Sequence, residues 1–308
     1  MESRRIGSLE VSAVGLGCNN FGTRLAYFAT AAVVETALEA GITFFDTADI
    51  YGAGRSEEFL GSILAPHRAR VVIATKFGMD MGAGRKGAKP AYVRRAVEDS
   101  LRRLRTDRID LYQLHRPDPE TPLAETLGAL DELVTSGKVR EIGCSYFTAD
   151  QLRDAQAAAG RGAKFASVQN EFSLLNREPE RGVLDECGRQ GLAFLPYYPL
   201  ASGVLSGKYR AGAPAPRATR LASNADWARR FLTDRNLAVA GALGAFAAAR
   251  GHTLLELAVS WLLARPAVAS VIAGASSPEQ VTANAAAGSW RMAPDELAEA
   301  DSLTEGTT

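Results

Sequence analysis

Short apolar runs that alternate with stretches of helical spacing recur eight times along this chain, and that cadence limits the folds open to it. The runs are Ala13–Gly17, Thr43–Ala48, Val71–Lys76, Asp110–His115, Glu141–Ser145, Ser167–Glu171, Ala193–Pro199 and Ser270–Ala275. Between them lie helical segments with recognisable ends. One runs from about Thr30 to Ala40, with Gly41 as its stop, and another from Pro90 to Arg105, with proline in its first turn. Thr121-Pro122 opens a third, Thr148 and Gln151 form a capping box for a fourth, and Ser277-Pro278 opens a fifth. A length of 308 residues allows two average domains or one large barrel. Eight strands alternating with helices select a single parallel (β/α)8 TIM barrel spanning residues 1–308 as one domain. Residues 4–13 alternate around Gly7 and Ser8 and predict an N-terminal hairpin; Asn236–Ala249 and Pro294–Leu303 are two extra helices.

The second run leads into TFFDTADIYGAGRSEEFLG, Thr43 to Gly61. Gly52 and Gly54 supply a tight turn, and Ser56 before Glu57 and Glu58 is the expected helix N-cap. Side chains alternate along a strand, so Phe44 and Asp46 share one side. A carboxylate at the end of a buried strand is costly unless a cation pairs with it.

Sites on this fold gather at the C-terminal ends of the strands, which here carry Asp46, Lys76, His115, Ser145, Gln169 and Tyr197, with Tyr51 just past one of them. Together these residues point to acid–base chemistry. A phenol has an ordinary pKa near ~10, and a neighbouring ammonium favours its ionised form and lowers that value. Lys76 is the expected ammonium, Asp46 the carboxylate that holds it, and His115 a hydrogen-bonding or proton-passing partner of Tyr51. Tyr51 then serves as the acid for a carbonyl becoming an alcohol. Taken singly, Asp46 and Lys76 are equally a structural ion pair, His115 a hydrogen-bonded rim residue and Tyr51 a packing residue.

Over nearly its whole length the chain resembles the aldo-keto reductases. The resemblance is carried by GLGCNNFG, FFDTADIYGAGRSEEFLG, IATKFG, DLYQLHRPD, SVQNEFSLL, YYPLASGVLSGKY and IAGASSPEQVTANAAA, in the family's order and spacing. It implies a nicotinamide cofactor bound without a Rossmann domain, and a catalytic tetrad of Asp46, Tyr51, Lys76 and His115. It also implies that Ser145 and Gln169 serve the nicotinamide carboxamide, that Tyr197 stacks on the ring, and that Leu200 to Lys208, with Ser202 and Gly203, follows the pyrophosphate. Ser276, Gln280 and Asn284 would surround the adenosine half, with Lys208 and Arg220 meeting a 2′-phosphate. Two departures stand out: Tyr146 where many relatives carry asparagine, and Ser276 where relatives often carry a cation. The second weakens the preference for NADPH over NADH, and Arg220 is the residue expected to supply the missing charge. Ser277, Pro278 and Gln280 equally make an ordinary helix cap.

The implied activity is reduction of an aldehyde or ketone, or oxidation of an alcohol or sugar hydroxyl. Two other functions remain open: a Schiff-base aldolase using Lys76, and a cofactor-binding redox-sensing subunit with slow turnover. The expected substrate pocket is shaped by Asn20, Phe21, Tyr27, Phe77 and Trp227, and by the glycine-rich loop after Phe77. The literal G-x-G-x-x-G of that loop, Gly82 to Gly87, is a weak dinucleotide signal because it lies away from a tight strand–helix turn. Arg210–Arg220, rich in proline, glycine and arginine, is read as a mobile surface loop. Lys and Arg total 35 against 35 Asp and Glu, so charge favours neither nucleic acid nor membrane partners. Three cysteines in apolar surroundings, with no signal peptide or spanning segment, suggest a reduced cytoplasmic protein. No metal is expected, and the substrate, reaction direction and oligomeric state stay open.

Overall fold

The structure is a computed structural model that describes residues 1–210, 212–216 and 219–305. Residues 211, 217 and 218 of the Arg210–Arg220 loop, and 306–308 of the expected domain, lie outside the described residues. A hairpin of β1 (Ser3–Ile6) and β2 (Leu9–Ser12) precedes eight parallel strands. These are β3 (Val14–Gly17), β4 (Phe44–Asp46), β5 (Val72–Phe77), β6 (Ile109–Leu114), β7 (Val139–Ser145), β8 (Phe165–Glu171), β9 (Ala193–Tyr197) and β10 (Val271–Gly274). Their order, β10-β3-β4-β5-β6-β7-β8-β9, is that of an open ring. The ring closes through Phe194, whose N–H donates to Ala267 at 2.7 Å and whose carbonyl accepts from Ala269 at 3.0 Å.

The helices are α1 (Tyr27–Glu39), α2 (Arg55–Ile63), α3 (Pro90–Leu104), α4 (Leu123–Thr135), α5 (Ala149–Ala159), α6 (Val183–Gln190), α7 (Ala225–Phe231), α8 (Asp234–Ala248), α9 (Leu254–Leu263), α10 (Pro278–Ala286) and α11 (Pro294–Ser302). The Thr148–Gln151 capping box, the proline start of α3 and the two extra helices α8 and α11 agree with the sequence pattern. Helices α6, α7 and α9 did not stand out in it. In α9 every residue except Leu255 and Glu256 is buried, so no polar stripe marks it as a helix. At α2 the expected cap differs. Gly54, with φ 95°, occupies the N-cap, while Ser56 lies inside the helix with its Oγ buried against Thr47 Oγ1 (2.7 Å) and the Cys18 carbonyl (3.1 Å).

Side chains pointing into the barrel change character along its axis. On β5 the same-face series is Val72, Ala74, Lys76; on β6 and its end it is Leu111, Gln113, His115; on β9 it is Ala193, Leu195, Tyr197. The apolar members pack with Phe44, Ile272 and the hairpin residues Ile6, Leu9 and Val11 into an inner core that plugs the N-terminal mouth. The larger apolar cluster lies between the strands and the helices. The parallel strands and their outer helices thus gather a buried polar cluster of Asp46, Lys76, Gln113, Ser145 and Gln169 at the C-terminal mouth. Among the described residues, no helix is long and apolar enough to cross a membrane.

Candidate active site

At the centre of that mouth is a buried ion pair. Lys76 Nζ donates to Asp46 Oδ2 at 2.6 Å and to the Thr47 carbonyl at 2.9 Å, with side-chain exposures of 1% for Lys76 and 3% for Asp46. Asp46 Oδ1 accepts from the amides of Gln113 (3.1 Å) and Gln169 (2.9 Å), so both carboxylate oxygens are satisfied. Gln113 went unremarked in the sequence although its signal was there: it shares the inward face of β6 with His115. Ser145 Oγ donates to the Gln169 carbonyl at 2.7 Å and ties the ends of β7 and β8 together.

Tyr51 begins the turn after β4, where Gly52 (φ 59°) and Gly54 (φ 95°) take left-handed conformations. A Cβ on Gly52 would lie 3.0 Å from the Phe21 carbonyl oxygen, so a side chain at that position would press on the backbone of the loop after β3. The Tyr51 ring stands edge-on to His115, with centroids 6.0 Å apart and planes at 84°, and Lys76 Nζ lies 5.2 Å from the Tyr51 centroid. The ammonium therefore faces the ring while its hydrogen bonds go to Asp46 and Thr47. Burial first, then the Asp46 carboxylate, push the Tyr51 pKa well above the ordinary phenol value, with Arg220 opposing them. The expected lowering by Lys76 is thus reversed: desolvation outweighs an ammonium whose charge is already matched by its carboxylate partner. Burial, then the cations Lys76 and Arg116, lower the His115 pKa to about 3, so the imidazole is neutral around neutral pH, and its buried Nδ1 has no hydrogen-bond partner among the described residues.

Tyr51, Asp46 and His115 open into a cavity of about 510 Å³ that Ser145, Gln169, Tyr197, Leu200, Ser202, Gly203, Lys208, Arg220, Ser276, Gln280 and Asn284 also line. Beyond β9 the backbone takes consecutive left-handed values at Ala201 (φ 45°), Ser202 (φ 56°) and Gly203 (φ 97°), curling the chain into a tight cradle in which the Ala201 and Gly203 N–H groups donate to the Tyr198 (2.9 Å) and Leu200 (2.8 Å) carbonyls. Ser202 Oγ is buried without a hydrogen-bond partner among the described residues, and a Cβ on Gly203 would lie 2.7 Å from Lys208 Nζ. Burial and the guanidinium groups of Arg220 and Arg24 push the Lys208 pKa down. Arg220 is half-buried and held, donating to Asn20 Oδ1 at 2.8 Å and Asn19 Oδ1 at 3.3 Å, so it bridges from the chain after β9 to the loop after β3. At α10, Ser277 caps the helix as the spacing suggests, yet Gln280 Oε1 accepts from the Ser276 N–H at 2.9 Å. Arg24, Asn19 and Tyr198 also line the cavity; Asn19 and Tyr198 lie in stretches that carry the resemblance, but no strand-end position marks the three out in the sequence.

The expected substrate wall is gathered only in part. Asn20 lines the cavity, held by the Ala275 carbonyl at 3.0 Å. Phe21 and Phe77 are fully buried away from it, Phe77 stacked on Tyr112 at 4.7 Å. Tyr27 sits outside on α1, edge-on to Phe59 of α2 and hydrogen-bonded to Ser62 at 3.1 Å. Trp227 stands behind the cavity, packed edge-on against Tyr198 at 5.2 Å. The Gly82–Gly87 loop lies outside the cavity lining and folds back on its own strand end, with Gly87 N–H donating to Gly78 at 2.9 Å. In each of these corrections the residue type was compatible with a pocket wall, but the fold buried it or set it against another surface.

Residues 13–305 match the family model described as "Aldo/keto reductase family". The chain belongs to the aldo/keto reductase family. It is therefore an oxidoreductase of carbonyl and alcohol groups, in a family that uses nicotinamide cofactors. It is 33% identical to a probable voltage-gated potassium channel subunit beta of Oryza sativa subsp. japonica, over 92% of this chain and 90% of that one. It is also 33% identical to the uncharacterized oxidoreductase YqkF of Bacillus subtilis (strain 168), over 99% and 97% of the two chains. Among solved structures, the glycerol dehydrogenase AKR11B4 from Gluconobacter oxydans superposes with a TM-score of 0.85 at 29% identity, covering 98% of this chain and 94% of that one.

Proposed function

We propose that this one barrel domain is an NADPH-dependent reductase of aldehydes or ketones, with Tyr51 as the general acid. The observation that carries the reading is one cavity holding Tyr51, the neutral His115, the carboxylate of the Asp46–Lys76 pair and the cationic cradle of residues 201–208. That cradle fits a dinucleotide: Ser202 Oγ has an unspent hydrogen bond, and Gly203 alone leaves room for the Lys208 side chain. Leu200, Ser202, Gly203 and Lys208 would hold the pyrophosphate, Ser276, Gln280 and Asn284 the adenosine half, and Ser145, Gln169 and Tyr197 the nicotinamide end. Lys208 and Arg220 supply the positive charge that favours a 2′-phosphate. When bound, the reduced cofactor supplies the hydride.

The raised pKa of Tyr51 keeps its proton on the phenol throughout the neutral range. A nascent alkoxide is a far stronger base than tyrosinate, so proton transfer from Tyr51 runs downhill as the carbonyl is reduced. The lysine beneath the ring lowers the energy of the tyrosinate left behind, Asp46 fixes that lysine, and neutral His115 offers a hydrogen bond to the substrate oxygen. An aldolase role for Lys76 is disfavoured by its two short hydrogen bonds to Asp46 and Thr47. Three free, buried cysteines support a reducing, cytoplasmic setting.

The similarity to a probable potassium channel subunit beta favours a second reading, a cofactor-binding subunit that turns over slowly. One experiment separates the two: absorbance at the reduced-nicotinamide band, with NADPH and NADH, across a panel of carbonyls beside Tyr51→Phe. Turnover that collapses by at least about a hundredfold in Tyr51→Phe, with cofactor binding retained, is expected. Tight cofactor binding without turnover on any carbonyl points to the slow subunit. Equal rates with the two cofactors would overturn the NADPH preference.

A further inference from the structure

At the end of β6, among the described residues, Arg116 stands without a charge partner. Arg116 follows His115 directly at the end of β6 and is exposed, and among the described residues no carboxylate pairs with it and no hydrogen bond uses its N–H groups. Three acids near this end of the barrel are engaged elsewhere. Asp46 pairs with Lys76, and Glu171 with Arg230. Asp118 accepts from the Ala88 and Glu120 N–H groups and from Thr121 Oγ1.

Arg116 is nonetheless positioned. Its guanidinium carbon lies 3.9 Å from the centroid of the Tyr146 ring, within cation–π range. Tyr146 takes a left-handed backbone conformation, φ 62°, which is unfavourable for a residue with a large side chain. Its N–H donates to the Gln169 carbonyl at 3.2 Å, and its ring lies 5.3 Å from that of Tyr197 in the cavity wall. The strained phenol is therefore a platform that holds a guanidinium beside the catalytic histidine. Stacking uses the flat face of the guanidinium and leaves the N–H donors of its edge pointing outward, the geometry that receives a carboxylate through two parallel hydrogen bonds.

We propose that Arg116, seated on Tyr146, binds a carboxylate of the substrate, so that the carbonyl compounds preferred by this enzyme are oxo-acids. The inference deepens the carbonyl-reductase reading and rests on it for the reacting group. Arg116 itself is outside the cavity lining, but Tyr146, on which it is seated, is part of that lining, so the carboxylate site lies at the rim of the cavity beside Tyr146.

The test uses the full chain loaded with NADP+ and compares an acid with its uncharged amide. Calorimetry follows binding of 4-(hydroxymethyl)benzoate and 4-(hydroxymethyl)benzamide, and absorbance follows reduction of 4-carboxybenzaldehyde and 4-formylbenzamide by NADPH. The acid is expected to bind about tenfold tighter than the amide, as a charge-assisted bidentate contact implies, and to be favoured likewise in kcat/KM. In Arg116→Gln the acid-to-amide ratio falls to near one, and in Tyr146→Ala it falls part of the way. Equal binding of acid and amide, binding of neither, or a ratio that survives Arg116→Gln overturns the assignment. Acid-selective binding lost in Arg116→Gln but without turnover of either aldehyde supports the carboxylate site and sinks the reductase reading. Turnover of both aldehydes without selectivity sinks only the carboxylate site.

Discussion

Replacing Lys76 by methionine removes the ammonium from the centre of the barrel mouth and keeps a side chain of similar length. The partners are 2.6 Å apart and at most 3% exposed, so this is a buried pair, and deleting one member of such a pair costs about 3–5 kcal/mol because the other charge is stranded. Two features set where in that range the loss falls. Asp46 keeps the amides of Gln113 at 3.1 Å and Gln169 at 2.9 Å, which softens the loss; the Thr47 carbonyl loses its 2.9 Å donor, which adds about 1 kcal/mol. The expected destabilisation is therefore about 3–4 kcal/mol at pH 7, read from urea denaturation by linear extrapolation. The double variant Lys76→Met/Asp46→Asn removes both charges while leaving an amide oxygen for the Gln113 and Gln169 donors, and it should recover roughly 2 kcal/mol of that loss, since no stranded ion remains. The reasoning fails if Lys76→Met loses less than about 1 kcal/mol, the size of an exposed ion pair, or if the double variant is no more stable than the single one.

Two further outcomes follow from other parts of the fold. Burial, then repulsion from Glu57, raise the Asp49 pKa to about 7, whereas an unfolded aspartate titrates near ~3.9. The folded chain thus holds an extra proton between those values, so this group's contribution to stability declines as pH rises through that window and stays low above it. Asp49→Asn should then gain on the wild type at pH 8 relative to pH 5 in thermal unfolding; an offset equal at both pH values would contradict the assignment. A Cβ on Gly61 would lie 2.5 Å from the Arg103 carbonyl oxygen and from the Leu104 carbonyl carbon, where α2 crosses α3. Gly61→Ala must push two helix backbones apart and should cost at least about 3 kcal/mol in the same urea assay, and a loss below 1 kcal/mol would show that α2 slides freely.

Much of the site was legible because a strand repeats every two residues. Once Asp46, Lys76, His115, Ser145, Gln169 and Tyr197 were assigned to strand ends, their convergence required only that the strands be parallel and closed. The chain after β9 was legible by its resemblance, and its run of left-handed residues accounts for it physically. Less legible were residues whose role depends on what lies across from them. Phe21, Tyr27 and Phe77 have the composition of a pocket wall, yet Phe21 is buried away from the cavity, Tyr27 packs on Phe59 of α2 and Phe77 stacks on Tyr112. Ser56 has the identity of an N-cap, but the left-handed Gly54 ends the turn first and turns the serine inward.

By itself, the sequence determined the strand–helix cadence, the side of each strand that faces inward, and the four polar residues that meet at the mouth, because periodicity and local backbone preference are properties of neighbouring residues. Only the tertiary structure decided the electrostatics. Whether a lysine lowers the pKa of a phenol depends on which atoms it faces and how much water is excluded. In this fold the ammonium lies beneath the Tyr51 ring with its hydrogen bonds given to Asp46 and Thr47, so burial prevails and the proton stays on the phenol.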